Sequence, residues 1–210
     1  MTVVRQAFHC HIKGVDNMTN EKVKEVLELK DTSEITNDLP WKIKAVCHRH
    51  AAHVFICSNK TAYENYLMSE FSEEELAEMS EDDKIEIFKQ NWFAVSFANE
   101  DLNDTETEEY HGGIILFSED FLNMQHMFKE EIDDDLLREI IYNAICHELG
   151  HIVHRTGDEC VADRYSIKKT NASAFVACIE YMLLYLKKKS HNKMKRYTSE
   201  YDHRNVVLGL

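Results

Sequence analysis

Short apolar runs in the first half of the chain are rich in β-branched and aromatic residues and are bounded by turn-forming residues. This pattern is typical of strands. The segments 41–47 and 53–58 stand close together and are expected to pair as an antiparallel hairpin. The first half is therefore expected to form a sheet. Its predicted strands cover residues 3–13, 41–47, 53–58, 93–97 and 113–117.

Helical patterns occupy much of the remaining sequence. The first half carries a short helical segment at 21–29 and an acidic, helix-forming stretch at 61–90, in which Ser72 and Ser80 are suitable N-caps. From residue 118 almost to residue 189 the pattern is helical. A sheet in the first half and helices in the second predict an α+β fold.

The longest predicted helix lies in the middle of the second half. Asp133, Asp134 and Asp135 stand at its start, where negative charge complements the helix dipole. Its apolar residues recur three and four positions apart, which is the spacing of one buried helix face. These residues are Leu137, Ile140, Ile141, Ala144, Ile145, Leu149 and Ile152.

Length and charge limit the choice of architecture and partner. A chain of 210 residues suits a single domain, 1–210, with 1–90 as an optional sheet subdomain. The formal net charge of -14 at pH 7 disfavours nucleic acid and anionic membranes as partners. Residues 1–10 lack the charged, apolar and small-residue segments of a secretory signal, no apolar run approaches about 18 residues, and the six cysteines form no C-x-x-C pair. We therefore expect a soluble, cytoplasmic protein of undetermined oligomeric state.

One short motif on the long helix carries the chemistry. In His147-Glu148-Leu149-Gly150-His151 the two imidazoles stand four residues apart, on one helix face, and can converge on one zinc ion. Glu148 is placed to act as a general base toward water at that site. Gly150 carries no side chain, which allows another backbone to pass close by.

A catalytic zinc site usually has three protein ligands, so a third must come from elsewhere. Gly157 is expected to end the long helix and Asp158 to cap a second helix that continues through residue 166. We predict Glu159 as the third ligand and Asp163 as the acceptor of a hydrogen bond from the far ring nitrogen of His147. The alternative third ligands are Asp158, Asp163 and His154.

The two motifs together, HExxH at 147–151 and Glu-Cys-Val-Ala-Asp at 159–163, resemble the paired HExxH and ExxxD motifs of gluzincin metallopeptidases. The short gap between them looks most like small peptidases of the ImmA/IrrE kind, cytosolic or phage-associated, and secondarily like the M48 group. The resemblance covers residues 112–170. It implies a zincin-like fold, a Zn²⁺ cofactor, a peptide or protein substrate, a phage or mobile element as an alternative source, and an edge strand over the cleft, for which 113–117 is the candidate.

The sequence therefore predicts a zinc peptidase in which Glu148 removes a proton from water and passes it to the leaving amine. Tyr165 and His111 are candidate stabilisers of the transition state. A different class of protein is the alternative, namely a zincin-like binding or regulatory module whose metal is structural or vestigial. An open coordination position would favour the enzyme and a closed site the module.

Overall fold

The computed structural model describes residues 31–69, 71–81, 84, 93–98 and 112–189. These residues form a mixed α+β structure that is mostly helical, with one small sheet. The chain divides into two compact units, residues 1–119 and residues 120–210. The prediction of a single domain stays a prediction. The predicted strand 3–13 and the predicted helix 21–29 lie outside the described residues.

The first unit contains a four-stranded mixed sheet. Its strands are β1 (Thr32–Glu34), β2 (Ala52–Cys57), β3 (Ala94–Ala98) and β4 (Gly112–Phe117), in the spatial order β1-β2-β4-β3. Strand β4 is parallel to β2, with Val54 opposite Ile114, and antiparallel to β3, with Val95 opposite Ile115. All residues of β4 are buried, as expected for a strand with neighbours on both edges.

Two strand predictions are wrong. Residues 41–47 form part of a helix, α1 (Trp41–Arg49), so the antiparallel hairpin with 53–58 does not exist. The partner of β2 on that side is the short strand β1. The segment 113–117 is not an edge strand, because β4 lies between β2 and β3. The strands predicted at 53–58, 93–97 and 113–117 are confirmed within one residue at each end.

The helices of the first unit lie between its strands in the sequence, with α1 between β1 and β2. After β2 come α2 (Lys60–Ser69) and α3 (Glu73–Glu78). Ser72 is the predicted N-cap of α3 and forms a capping box with Glu75, in which each residue accepts a backbone N–H of the other. The helix expected after Ser80 lies mostly outside the described residues. Side chains from β2, β4 and α2 form the buried cluster Phe55, Cys57, Tyr63, Leu67, Ile115 and Phe117.

The second half is helical from residue 118 to residue 189, as predicted. Its helices are α4 (Ser118–Met127), α5 (Asp134–His154), α6 (Glu159–Lys169) and α7 (Ala172–Lys189). Five of the seven apolar residues predicted for the inner face of α5 are buried: Ile140, Ala144, Ile145, Leu149 and Ile152. Tyr185 of α7 donates a buried hydrogen bond of 3.0 Å to Asp120 of α4. Helix α5 packs against both α6 and α7.

Within the described ranges, none of the helices is both long enough and apolar enough to cross a bilayer.

Candidate metal centre

The first two residues of the site are held by the long helix α5. Asp133 caps its start, because the Asp133 carboxylate accepts the backbone N–H of Leu136 at 2.8 Å. His147 and His151 are separated by one helical turn near its end, and their Nε2 atoms lie 3.2 Å apart. The helix therefore places two imidazole nitrogens, each able to bind a metal ion, side by side.

A tight turn leads from α5 into α6. Arg155 ends α5 in the left-handed conformation, at φ 47°, and the N–H of Thr156 bonds back to the carbonyl of His151 at 3.2 Å. The left-handed residue is Arg155 and not Gly157, so the prediction that Gly157 ends the helix is off by two positions. Asp158 caps α6 as predicted, through the N–H of Cys160 at 2.9 Å. The chain thus reverses within four residues and brings Glu159 back toward His151.

The crossing of α5 and α6 depends on Gly150. A Cβ atom added there would lie 2.7 Å from the Cα of Ala162 and 3.1 Å from the Cβ of Tyr165. These distances are shorter than ordinary van der Waals contact, so only glycine allows the two helices to approach this closely. The expectation that another backbone passes close to Gly150 is confirmed, and that backbone belongs to α6.

A buried polar cluster joins the same two helices one turn before His147. Asn143 is 1% exposed and its Oδ1 accepts hydrogen bonds from Thr170 at 2.7 Å and from Ser166 at 3.3 Å. Ser166 also donates to the backbone carbonyl of Asn143 at 3.0 Å, and the Asn143 amide donates to the carbonyl of Glu139 at 2.8 Å. This cluster, Asn143, Ser166 and Thr170, fixes α6 against α5. Sequence reasoning missed it, although a polar residue four positions before His147 on an apolar face was a usable signal.

The structure brings together the three residues predicted as ligands. Glu159 lies with its carboxylate oxygens 3.0 Å from Nε2 of His147 and 3.4 Å from Nε2 of His151. One ligand atom from each of the three residues lies within 4.8 Å of the others, and this is the group of three that could hold a metal ion among the described residues. All three side chains are partly buried, with 12 to 20% of their surface exposed. Solvent therefore reaches the site.

Each imidazole is oriented by a hydrogen bond at its other nitrogen. Nδ1 of His147 lies 2.9 Å from a carboxylate oxygen of the fully buried Asp163, and Nδ1 of His151 lies 2.8 Å from the carbonyl oxygen of Thr156. A carbonyl and a carboxylate oxygen accept hydrogen bonds, so each Nδ1 donates its hydrogen outward and each Nε2 faces the site. Two ring nitrogens and a carboxylate thus converge on the same small volume.

The electrostatics of the site favour positive charge. Burial alone would lower the pKa of His147, but the carboxylates of Glu159 and Asp163 outweigh it and raise the pKa to about 10. Burial likewise lowers the pKa of His151, while the hydrogen bond to Glu159 and the charge of Glu148 raise it above its ordinary value. The pKa of Glu159 is held well below its usual range despite burial, because both histidines face it. A site with this field attracts a cation.

The other predicted residues take different positions. Glu148 is half-buried beside His147, outside the three-residue group. His154 is exposed and its ring packs edge-on against Tyr165, 5.6 Å between centroids, while Asp158 is engaged as the helix cap. The structure places Tyr165 against His154 and Lys169, and its role in stabilising a transition state stays a prediction. His111 lies outside the described residues.

Comparison of the chain with family models, with curated proteins and with solved structures gives no match in any of the three.

Proposed function

We propose that this protein is a zinc-dependent peptidase that hydrolyses peptide bonds, with His147, His151 and Glu159 as metal ligands and Glu148 as general base. The observation that carries the proposal is the convergence of two imidazole nitrogens and one carboxylate, each imidazole oriented through its Nδ1 atom. The resemblance of the two motifs to those of gluzincin metallopeptidases supports the same reading.

The donor atoms fit zinc in spacing and in kind. Zinc binds histidine nitrogen and carboxylate oxygen at about 2.0–2.2 Å, so two ligands of a tetrahedral site stand roughly 3.3 Å apart. The three closest donor separations here are 3.0, 3.2 and 3.4 Å. Two imidazoles and a carboxylate are also the ligand set of a common class of catalytic zinc sites.

Zinc, when bound by three protein ligands, acts as a Lewis acid that lowers the pKa of water to about 7 and polarises a carbonyl group. Residues of the chain transfer the proton and orient the imidazoles. Glu148 accepts a proton from water and delivers it to the leaving amine nitrogen. Asp163 and the carbonyl of Thr156 accept the Nδ1 hydrogens, so that when zinc displaces the Nε2 protons the two imidazoles would already be oriented toward it.

A general base adjacent to the ligands favours this function over a binding module with a structural or vestigial metal. A structural zinc site is closed by four protein ligands and needs no base. Among the described residues three ligands group together, and these three remain partly exposed. The substrate in this proposal is a peptide or protein, in keeping with the net charge of -14, which disfavours nucleic acid.

The test is the variant Glu148→Gln, compared with Glu139→Gln, which changes an exposed glutamate on the same helix. Zinc-loaded proteins are incubated with a proteome-derived peptide library, and new amino termini are labelled and identified by mass spectrometry. We expect the wild type and Glu139→Gln to cleave, and Glu148→Gln to bind zinc equally well while its cleavage rate falls about 10²- to 10⁴-fold.

Two outcomes would overturn the proposal. One is undiminished cleavage by Glu148→Gln. The other is a wild type that binds zinc, cleaves no peptide, and shows no change in the absorption spectrum of its Co²⁺-substituted form when a hydroxamate is added. An unresponsive spectrum would indicate a closed coordination shell, which is the property of a structural site.

A further inference from the structure

A second concave site lies on α6, away from the zinc ligands. A cavity of about 320 Å³ is lined by His154, Val161, Arg164, Tyr165, Lys168 and Lys169. On a helix, residues 164 and 168 lie on roughly the opposite side from Glu159 and Asp163, which face α5. The cavity therefore uses the outward face of the helix whose inward face holds the metal centre.

The cavity collects positive charge in a chain that is otherwise acidic. The sequence has 38 acidic residues and 24 lysines and arginines, yet three cations line this one depression. Among the residues that the structure describes, Arg164, Lys168 and Lys169 have no carboxylate within ion-pair distance. All three side chains are exposed, so water screens their mutual repulsion. An anion that contacted two or three of them at once would gain from their combined positive charge.

Helix-end electrostatics explain only part of this arrangement. Lys168 and Lys169 stand in the last turn of α6, where cations complement the helix dipole. Arg164 lies in the middle of the helix and gains nothing from that effect. It shares one face with Lys168, four residues further on.

Two aromatic rings, those of Tyr165 and His154, line the cavity and pack against each other. The ammonium group of Lys169 lies 5.2 Å from the centroid of the Tyr165 ring, and the ring of His154 packs edge-on against the same tyrosine. Val161 adds apolar surface. A ligand that fits therefore carries negative charge at one end and a flat or apolar group next to it.

We propose that this cavity binds a phosphate monoester, whose phosphate contacts Arg164, Lys168 and Lys169 while its organic group packs on Tyr165 and Val161. A phosphate monoester carries about 1.5 to 2 negative charges at pH 7, more than one carboxylate can offer to three cations. The guanidinium fork of Arg164 matches two phosphate oxygens, whereas the lysines act as point charges. The proposal concerns a site separate from the metal centre and does not depend on peptidase activity.

The test measures binding of phenyl phosphate and of benzoate to the full-length, zinc-loaded protein by isothermal titration calorimetry and by backbone amide NMR shifts. The double variant R164A/K168A removes two cations of the cavity, and the control K129A/K187A removes two exposed lysines elsewhere in the second unit. The two variants have the same net charge, so a difference between them reports the cavity and not the overall field.

We expect phenyl phosphate to bind the wild type and the control alike, to shift the amides of 161–169, and to bind R164A/K168A about tenfold or more weakly. Benzoate is expected to bind more weakly than phenyl phosphate. The proposal is overturned if R164A/K168A binds as the wild type does, if the shifts map to His147 and His151 instead, if benzoate binds equally well, or if no binding occurs in the millimolar range.

Discussion

Replacement of Gly150 by alanine sets two opposing effects against each other. Alanine has a higher helix propensity than glycine, which alone would stabilise α5 by about 1 kcal/mol. The added methyl group, however, would lie 2.7 Å from the Cα atom of Ala162 in α6. The net change in stability therefore depends on whether the gain in helix propensity or the cost of the clash is larger.

The structure indicates that packing dominates. A real Cβ atom essentially never lies closer than 3.0 Å to such an atom, and ordinary contact begins at 3.4 Å. Helix α6 must therefore move away by at least about 0.3 Å, and by about 0.7 Å to restore ordinary contact. The clash is with backbone and not with the end of a flexible side chain, so the cost lies near the upper part of the usual 1–3 kcal/mol for overpacking. After the gain in propensity we expect the free energy of unfolding to fall by about 1–2 kcal/mol.

The same movement affects the metal site, because α6 carries Glu159 and Asp163. Metal–ligand distances tolerate changes of only about 0.2 Å, so a shift of about 0.3–0.7 Å should weaken zinc binding. Urea unfolding of the metal-free protein measures the stability, and competition with a chromophoric chelator measures the zinc affinity. Glu139→Ala, at an exposed position of α5, is the control and should change stability by less than about 0.5 kcal/mol. A Gly150→Ala variant that is more stable than the wild type and binds zinc equally well would refute the helix crossing described here.

Three further changes test other contacts. Asp163→Asn removes the charge that orients His147 and should lower zinc affinity about 10- to 100-fold in the same chelator assay; unchanged affinity would contradict the orienting role. Asn143→Ala removes a buried acceptor for Thr170 and should lower the free energy of urea unfolding by about 2–3 kcal/mol, and an unaltered unfolding curve would show that the buried cluster contributes nothing. Ser72→Ala breaks the capping box of α3 and should cost about 1 kcal/mol by the same method, whereas a neutral effect would mean that the cap is dispensable.

The features that could be predicted from the sequence are mostly local ones. Four-residue spacing on one helix face brings His147 and His151 together whatever the rest of the fold, and Asp158 caps the next helix through its own side chain. The helical second half followed from a periodicity sustained over many turns. Glu159 was also predictable, because it is the first residue of α6 and only a short turn separates it from the end of α5.

The failures come from short segments and distant pairings. Apolar and polar residues alternate along part of 41–47, which suggested a strand. The buried residues are Ile43 and Cys47, which stand four apart as on a helix face, and Pro40 directly precedes the helix. Strand β1 has three residues and gives no periodic signal. The parallel pairing of β2 with β4 joins segments about 60 residues apart, which no local pattern encodes.

The orienting contacts of the site were predictable only in part. Asp163 stands four residues after Glu159 and so shares its helix face, a relation visible in the sequence. The partner of His151 is a backbone carbonyl, that of Thr156, and any residue type supplies a carbonyl. Its position depends on the left-handed conformation of Arg155, which a non-glycine residue adopts only when its surroundings impose it.

The most direct test of the central claim is the zinc content of the purified protein. Wild type, Glu159→Ala and His154→Ala are dialysed identically against a mild chelator and analysed for zinc per chain. We predict about one zinc per chain in the wild type and in His154→Ala, and little or none in Glu159→Ala. A wild type without zinc after refilling, or zinc that is kept by Glu159→Ala and lost from His154→Ala, would contradict the account.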